Sequence, residues 1–175
     1  MKQPATTQEP PLADSGVPGR VLAIDLGAKR LGLAMSDPLR IAAQGLPTVE
    51  RRNRREDLNY LKSLAKRHAV SLIVVGHPVN MDGSEGAQAL AAREVAERLR
   101  QHLGDLIREV RLWDERLTTV EANRVLREAG LSPAERAKAV DEVSAVLLLE
   151  SFLDAERDRA SRTEEPGTPV PSDTA

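Results

Sequence analysis

Val21-Leu-Ala-Ile-Asp25-Leu-Gly27-Ala-Lys-Arg30-Leu-Gly-Leu-Ala-Met-Ser36-Asp37 is the stretch that decides the fold. A short apolar run closed by Gly reads as a buried strand, then a tight turn, then a second strand. The expected strands are 21–25 and 31–36, with Gly27 in the turn. Asp25 is therefore carried where a strand leaves the core. An ionised carboxylate there is unfavourable unless a cation or hydrogen-bond donors meet it. A metal ion is one answer, and other carboxylates should then converge on the same place. An Asx-turn is the plain alternative.

Working outward, Ala43–Glu50 reads as a third strand, giving a three-strand antiparallel start. A helix is expected from Arg54 to His68, with Leu58, Leu61, Leu64 and Ala65 at helical spacing. Ser71-Leu-Ile-Val-Val75 is a continuous apolar strand, as a parallel strand covered on both faces requires. Residues 79–83 form a loop, and a helix follows over 84–103 with Leu90, Val95, Leu99 and Leu103 on one side. Val110–Trp113 is a last strand that delivers Asp114 and Glu115. Thr118 and Glu121 have the form of a capping box for a helix closing at Gly130. Ser132-Pro133-x-Glu135 opens a final helix to about Arg159, buried nearly all round over Val143–Leu149. The order β-β-β-α-β-α-β-α-α implies an α/β fold: a mixed five-stranded sheet, built from a three-strand antiparallel start and then βα units, with helices on both faces.

The chain has 175 residues, one domain by length. Residues 1–19 and 160–175 are Pro-, Thr- and Ser-rich and read as disordered tails around a folded body at 20–159. The absence of cysteine excludes disulfides, thiolate metal sites and cysteine nucleophiles. No segment is apolar and long enough to span a bilayer, and no leader precedes the body, so a cytoplasmic protein without membrane partners is expected. The net charge of −2 falls largely in the tails. The body is close to neutral, so nucleic-acid binding needs a local basic patch. One Phe, one Tyr and one Trp are too few for a base-stacking platform.

Acidic residues fall where a sheet could gather them. Asp25 ends the first strand, Asp114 and Glu115 end the last, and Asp141 precedes the buried part of the final helix. The first and last strands can be parallel neighbours of one sheet, and ligands of open α/β sheets bind beyond the carboxyl ends of the strands. Oxygen ligands of this kind suit Mg²⁺ or Mn²⁺. Two such ions about 3.5–4 Å apart activate a water and stabilise the leaving oxygen of a phosphodiester. Each acid also has a bland reading: Asp114 or Glu115 can pair with Arg116 or Arg111, and Asp141 with Lys138. Side chains alternate along a strand, so only one of Asp114 and Glu115 shares the side of Trp113. Glu115 has the longer reach and is preferred as ligand, with Asp114 the runner-up.

These residues lie in motifs that resemble a known family. Asp25-Leu-Gly-x-Lys-Arg-Leu-Gly-Leu-Ala-x-Ser-Asp37, Val75-Gly-His-Pro-x-x-Met-Asp-Gly-Ser84, Asp114-Glu-Arg-Leu-Thr-Thr119, and Lys138-x-Val-Asp141 with Phe152-Leu-Asp154 are similar, in this order, to the motifs of the YqgF/RuvX family. That family comprises Holliday-junction-resolvase-like nucleases with an RNase H-like fold. The resemblance spans residues 21–154 and neither tail. It implies a metal-dependent nuclease that matures the 5′ end of pre-16S rRNA in ribosome biogenesis, with Asp25, Glu115 and Asp141 as catalytic acids. His77 departs from the pattern, which usually has Leu there.

Several residues are candidates for holding substrate. Lys29 and Arg30 follow Asp25 and suit phosphate positioning, or a solvated turn. His77 suits phosphate donation or proton transfer, or is a loop His bonded to a carbonyl. Ser84 precedes a helix N-terminus, a phosphate-friendly place, and equally suits an N-cap. Ser36 and Asp37 suit the same edge or a plain turn. Arg116 completes the third motif. Arg51, Arg52, Arg54, Arg55, Lys62, Lys66 and Arg67 form the strongest basic cluster, an RNA-backbone surface or an ordinary solvated helix face.

The leading function is hydrolysis of RNA phosphodiester bonds with Mg²⁺ or Mn²⁺. The same chemistry on branched DNA is a close variant. A non-catalytic ribosome-assembly module is a second class, and an ATP-binding protein of the actin/Hsp70 type a third. The partners implied are pre-rRNA or branched DNA, with a homodimer left open.

Overall fold

β1 (Arg20–Leu26) and β2 (Arg30–Ser36) pair antiparallel, with Asp25 opposite Gly32 and Leu26 opposite Leu31. The Gly27 turn is thus where the sequence puts it. The structure is a computed structural model that describes residues 18–114 and 133–163, the side chains of 133–142 and 163 excepted. The expected helix over 118–130 and both terminal tails, apart from Pro18, Gly19 and residues 160–163, lie outside the described residues.

β3 (Ala43–Glu50) pairs antiparallel with β2 and forms an edge of the sheet. Pro47, which has no N–H to give a ladder, is tolerated there for that reason. α1 (Arg54–Arg67) begins at Asn53, whose side chain accepts the Glu56 amide at 3.0 Å. Acids in its first turn and bases in its last complement the helix dipole. β4 (Val70–His77) runs two residues beyond Val75 and lies parallel to β1. α2 (Ala87–Leu103) starts three residues later than expected, with Gly86 as its cap. β5 (Glu109–Asp114) is parallel to β4. α3 starts at Pro133, in accord with the preference of Pro for the first helical turn, and continues to Thr163, past the expected end.

The sheet order is β3-β2-β1-β4-β5. The first and last strands are therefore not the neighbours they could have been: β4 stands between them. All three of these strands are parallel, however, so β1, β4 and β5 end at one common edge. A three-strand antiparallel start followed by βα units in this order is the RNase H-like arrangement.

Strand alternation sorts the core into two layers. Leu22, Ile24, Leu33, Ile73, Val75 and Val110 face α1 and α2. Val21, Ala23, Ala34, Leu72 and Val74 face α3. Among the described side chains of α3 the buried ones are Ala145, Leu148, Leu149, Phe152 and Leu153, so Val143–Leu149 is not buried all round. In α2 the buried positions are Ala89, Ala92, Ala96, Leu99 and Leu103, while Leu90 is 55% exposed. Leu99 and Leu103 are buried and Val95 packs against the core, so of the four expected positions only Leu90 is corrected, its place being taken by the alanines.

Candidate active site

Asp25 is half-buried at the carboxyl end of β1. By alternation it belongs with Val21 and Ala23, on the α3 side of the sheet. The turn after it is tightly specified. A Cβ on Gly27 would lie 2.7 Å from the Arg30 carbonyl oxygen, so only Gly fits. The Arg51 amide donates to the Lys29 carbonyl at 2.9 Å, and the Arg51 guanidinium to the Gly27 carbonyl at 3.0 Å. Lys29 is exposed and Arg30 is half-buried opposite Glu50.

Asp114 ends β5 directly across from His77. Both continue the row of Val75 and Leu112, which faces α1 and α2, and so both lie on the other side of the sheet from Asp25. Trp113 lies on the α3 side, edge-on to Phe152 at 5.1 Å, with its indole N–H on Ser151 Oγ at 3.2 Å. Arg111, two residues earlier in β5, reaches Glu156 at 2.8 Å. From Glu156 back to Ser151, α3 therefore runs toward the carboxyl ends of the strands. Asp141 lies further along the same helix, one turn before Ala145 of the buried stripe. Its side chain, Glu115 and Arg116 lie outside what is described. Among the described residues no three His, Asp or Glu side chains come together as a metal cluster.

His77 is the last residue of β4, not a loop residue, and its partner is a carboxylate, not a carbonyl. Its Nε2 lies 2.8 Å from Glu85 Oε1. Buried Nε2 has no other partner among the described residues. Glu85 also pairs with Arg93 of α2. The hydrogen bond from Arg93 holds the Glu85 carboxyl below the usual carboxylate range. Ser84 does not cap α2. Its hydroxyl donates to Asp82 at 2.6 Å and accepts from Asn80 at 2.8 Å, closing the loop before Gly86. That hydroxyl keeps Asp82 ionised below its usual range.

Ser36 and Asp37 sit at the opposite edge from Asp25, because β2 runs back along β1. Ser36 Oγ accepts the Val21 amide at 2.9 Å, and Asp37 accepts three amides of its own turn, from Leu39, Ile41 and Ala42. They build a turn, not the site. The basic cluster divides. Arg51 bonds the Asp25 hairpin, so the first turn of α1, with Arg54 and Arg55, lies beside the candidate edge. Lys62 donates to the His102 carbonyl, and Lys66 and Arg67 lie in the last turn of α1, away from that edge. Arg54 is ion-paired with Glu94 at 3.3 Å. A cleft of about 90 Å³ between α1 and α2 is floored by Ile24, Leu26 and Leu31. It opens on the face away from Asp25. Its Arg51 is ion-paired with Asp57, and its Arg54 and Arg98 share Glu94. The Arg51 contacts and the Glu85–Arg93 pair were not foreseeable, since no periodicity or motif signals them.

The family described as "RuvX: Holliday junction resolvase" matches residues 19–155. The chain belongs to the RuvX family. It is thereby a nuclease, as its motifs implied. Relatives agree with this family placement. A Koribacter versatilis protein is 48% identical over 140 residues, covering 80% of this chain and 90% of its own. A Myxococcus xanthus protein is 47% identical over 138 residues, covering 79% of this chain and 89% of its own. A Clostridium novyi protein is 44% identical over 136 residues, covering 78% of this chain and 98% of its own. All three are provisionally named pre-16S rRNA nucleases. The family match ends within α3 and leaves both tails outside.

Proposed function

We propose that this RuvX-family chain hydrolyses RNA phosphodiester bonds with Mg²⁺ or Mn²⁺, and that it processes the 5′ end of pre-16S rRNA. The observation that carries the reading is the position of Asp25, at the edge where three parallel strands end and on the face covered by α3. Glu115 is favoured over Asp114 because Asp114 belongs to the face of the sheet away from Asp25. Asp141 is the third acid, on the helix that runs toward this edge. Three carboxylates make an oxygen-only donor set, which suits a hard divalent ion. Bound there, such an ion supplies positive charge for the attacking water and the leaving oxygen.

The chain's own residues do the rest. Lys29 and Arg30 hold the phosphate backbone beside Asp25 without reading sequence. Arg54 and Arg55 extend that hold along α1, and Arg116 adds to it after Glu115. His77 and Ser84 stand on the adjoining rim, each already engaged by a protein carboxylate. The names of the relatives support pre-16S rRNA as the RNA. Branched DNA is the second reading, favoured by the description of the family itself. Among the described residues no helix is long and apolar enough to cross a membrane.

The test is cleavage of single-stranded RNA and of a four-way DNA junction with Mn²⁺, wild type beside Asp25→Asn. RNA cleavage abolished in the variant is the expected result. Equal cleavage by both proteins, or none by wild type with any divalent ion, overturns it. Size-exclusion chromatography of the same protein decides between monomer and homodimer.

A further inference from the structure

We infer that Arg51 is a positioning residue for the Asp25 hairpin, resting on the reading of Asp25 as an acid of the site. Arg51 lies outside the hairpin, just after β3. Its amide donates to the Lys29 carbonyl at 2.9 Å and its Nη1 to the Gly27 carbonyl at 3.0 Å. Gly27 is only two residues past Asp25. On the other side of the same guanidinium, Nε lies 3.5 Å from Asp57 Oδ2. Asp57 is itself fixed: its Oδ1 accepts the Arg52 amide at 3.2 Å, and its own amide donates to Asn53. The pair is well enclosed, with side chains 28% and 13% exposed. A planar guanidinium holds two acceptors at a set angle, which the single ammonium of lysine does not. The first turn of α1 is thereby fastened to the turn that carries Asp25. The tilt of that turn sets where the carboxylate points.

The test uses the full chain with two readouts, on Arg51→Ala and Arg51→Lys. The first is amide exchange without metal. Gly27 should exchange about tenfold faster in both variants, while Leu61 and Val74 keep wild-type rates. The second is calorimetric titration with Mn²⁺ alone, where affinity should fall about tenfold, the lower end for residues that orient a ligand. Wild-type exchange at Gly27, equal acceleration at every amide, unchanged Mn²⁺ affinity, or full rescue by lysine each overturns the inference. Asp25→Asn is titrated alongside. If it leaves Mn²⁺ affinity intact, the metal reading fails, while the exchange data still judge whether Arg51 fastens the hairpin.

Discussion

His77 stands directly across from Asp114 in the parallel β4–β5 pair, on the α2 side of the sheet, while Asp25 belongs to the α3 side. Two carboxylates at the same edge are thus separated by the sheet itself. Their consequences for activity should differ.

Asp114→Asn is expected to keep most of the RNA cleavage of the wild type, and Glu115→Gln to lose it as completely as Asp25→Asn. Initial rates with Mn²⁺ on single-stranded RNA measure this. A dead Asp114→Asn with an active Glu115→Gln would reverse the assignment.

Lys29→Ala and Arg55→Ala should weaken RNA binding without changing which sequence is preferred. Removing one phosphate-binding cation lowers the slope of log affinity against log salt by about 0.7 for a single strand. Anisotropy titrations of labelled RNA at several salt concentrations give the slope. An unchanged slope in Arg55→Ala would make that residue a solvated helix position and nothing more.

Phe152 is fully buried between α3 and the sheet and meets Trp113 edge-on. Phe152→Ala should destabilise the fold by about 3–5 kcal/mol, the range for emptying an aromatic site in a core. Urea unfolding followed by Trp113 fluorescence reads both the midpoint and the altered indole environment. A destabilisation under about 1 kcal/mol would mean that the site collapses around the gap.

The Glu85 carboxyl is held below its usual value of 4.5, chiefly by the hydrogen bond from Arg93. A carboxyl depressed by folding contributes stability above its unfolded pKa and loses it as pH falls through the folded value. The Tm difference between wild type and Glu85→Gln is therefore expected to be widest above pH 4.5 and to close as pH falls through the depressed folded value. Thermal melts from pH 3 to pH 7 check the sign. A gap that grows on acidification would contradict it.

Much of the scaffold is legible because its signals are local. The run Val21–Ile24 followed by Gly27 fixes β1 and its turn, and the unbroken apolar run of β4 marks a strand covered on both sides. Pro133 gives the start of α3. Strand order is not legible, because β4 enters between β1 and β5 through pairings far apart in sequence. The face of α2 is easily misread because hydrophobicity points to Leu90, whereas close approach to a sheet selects the alanines. Ser36 and Asp37 share a motif with Asp25 but not an edge, since antiparallel pairing sends the two strand ends apart. His77 finds its partner in Glu85, a residue of a connecting loop whose place no sequence period encodes.

Ala89, Ala92 and Ala96, all fully buried, act as spacers of one methyl group each. They set the height at which α2 rides over the sheet. The segment 78–86 joins β4 to that helix and is drawn in at both ends, by the Val79–Glu85 bridge and by the Glu85 contacts to His77 and Arg93. A larger side chain at Ala92 or Ala96 would lift α2 and widen the rim beside Asp114. The smallest side chains of the helix thus set the spacing of a rim that they do not themselves form.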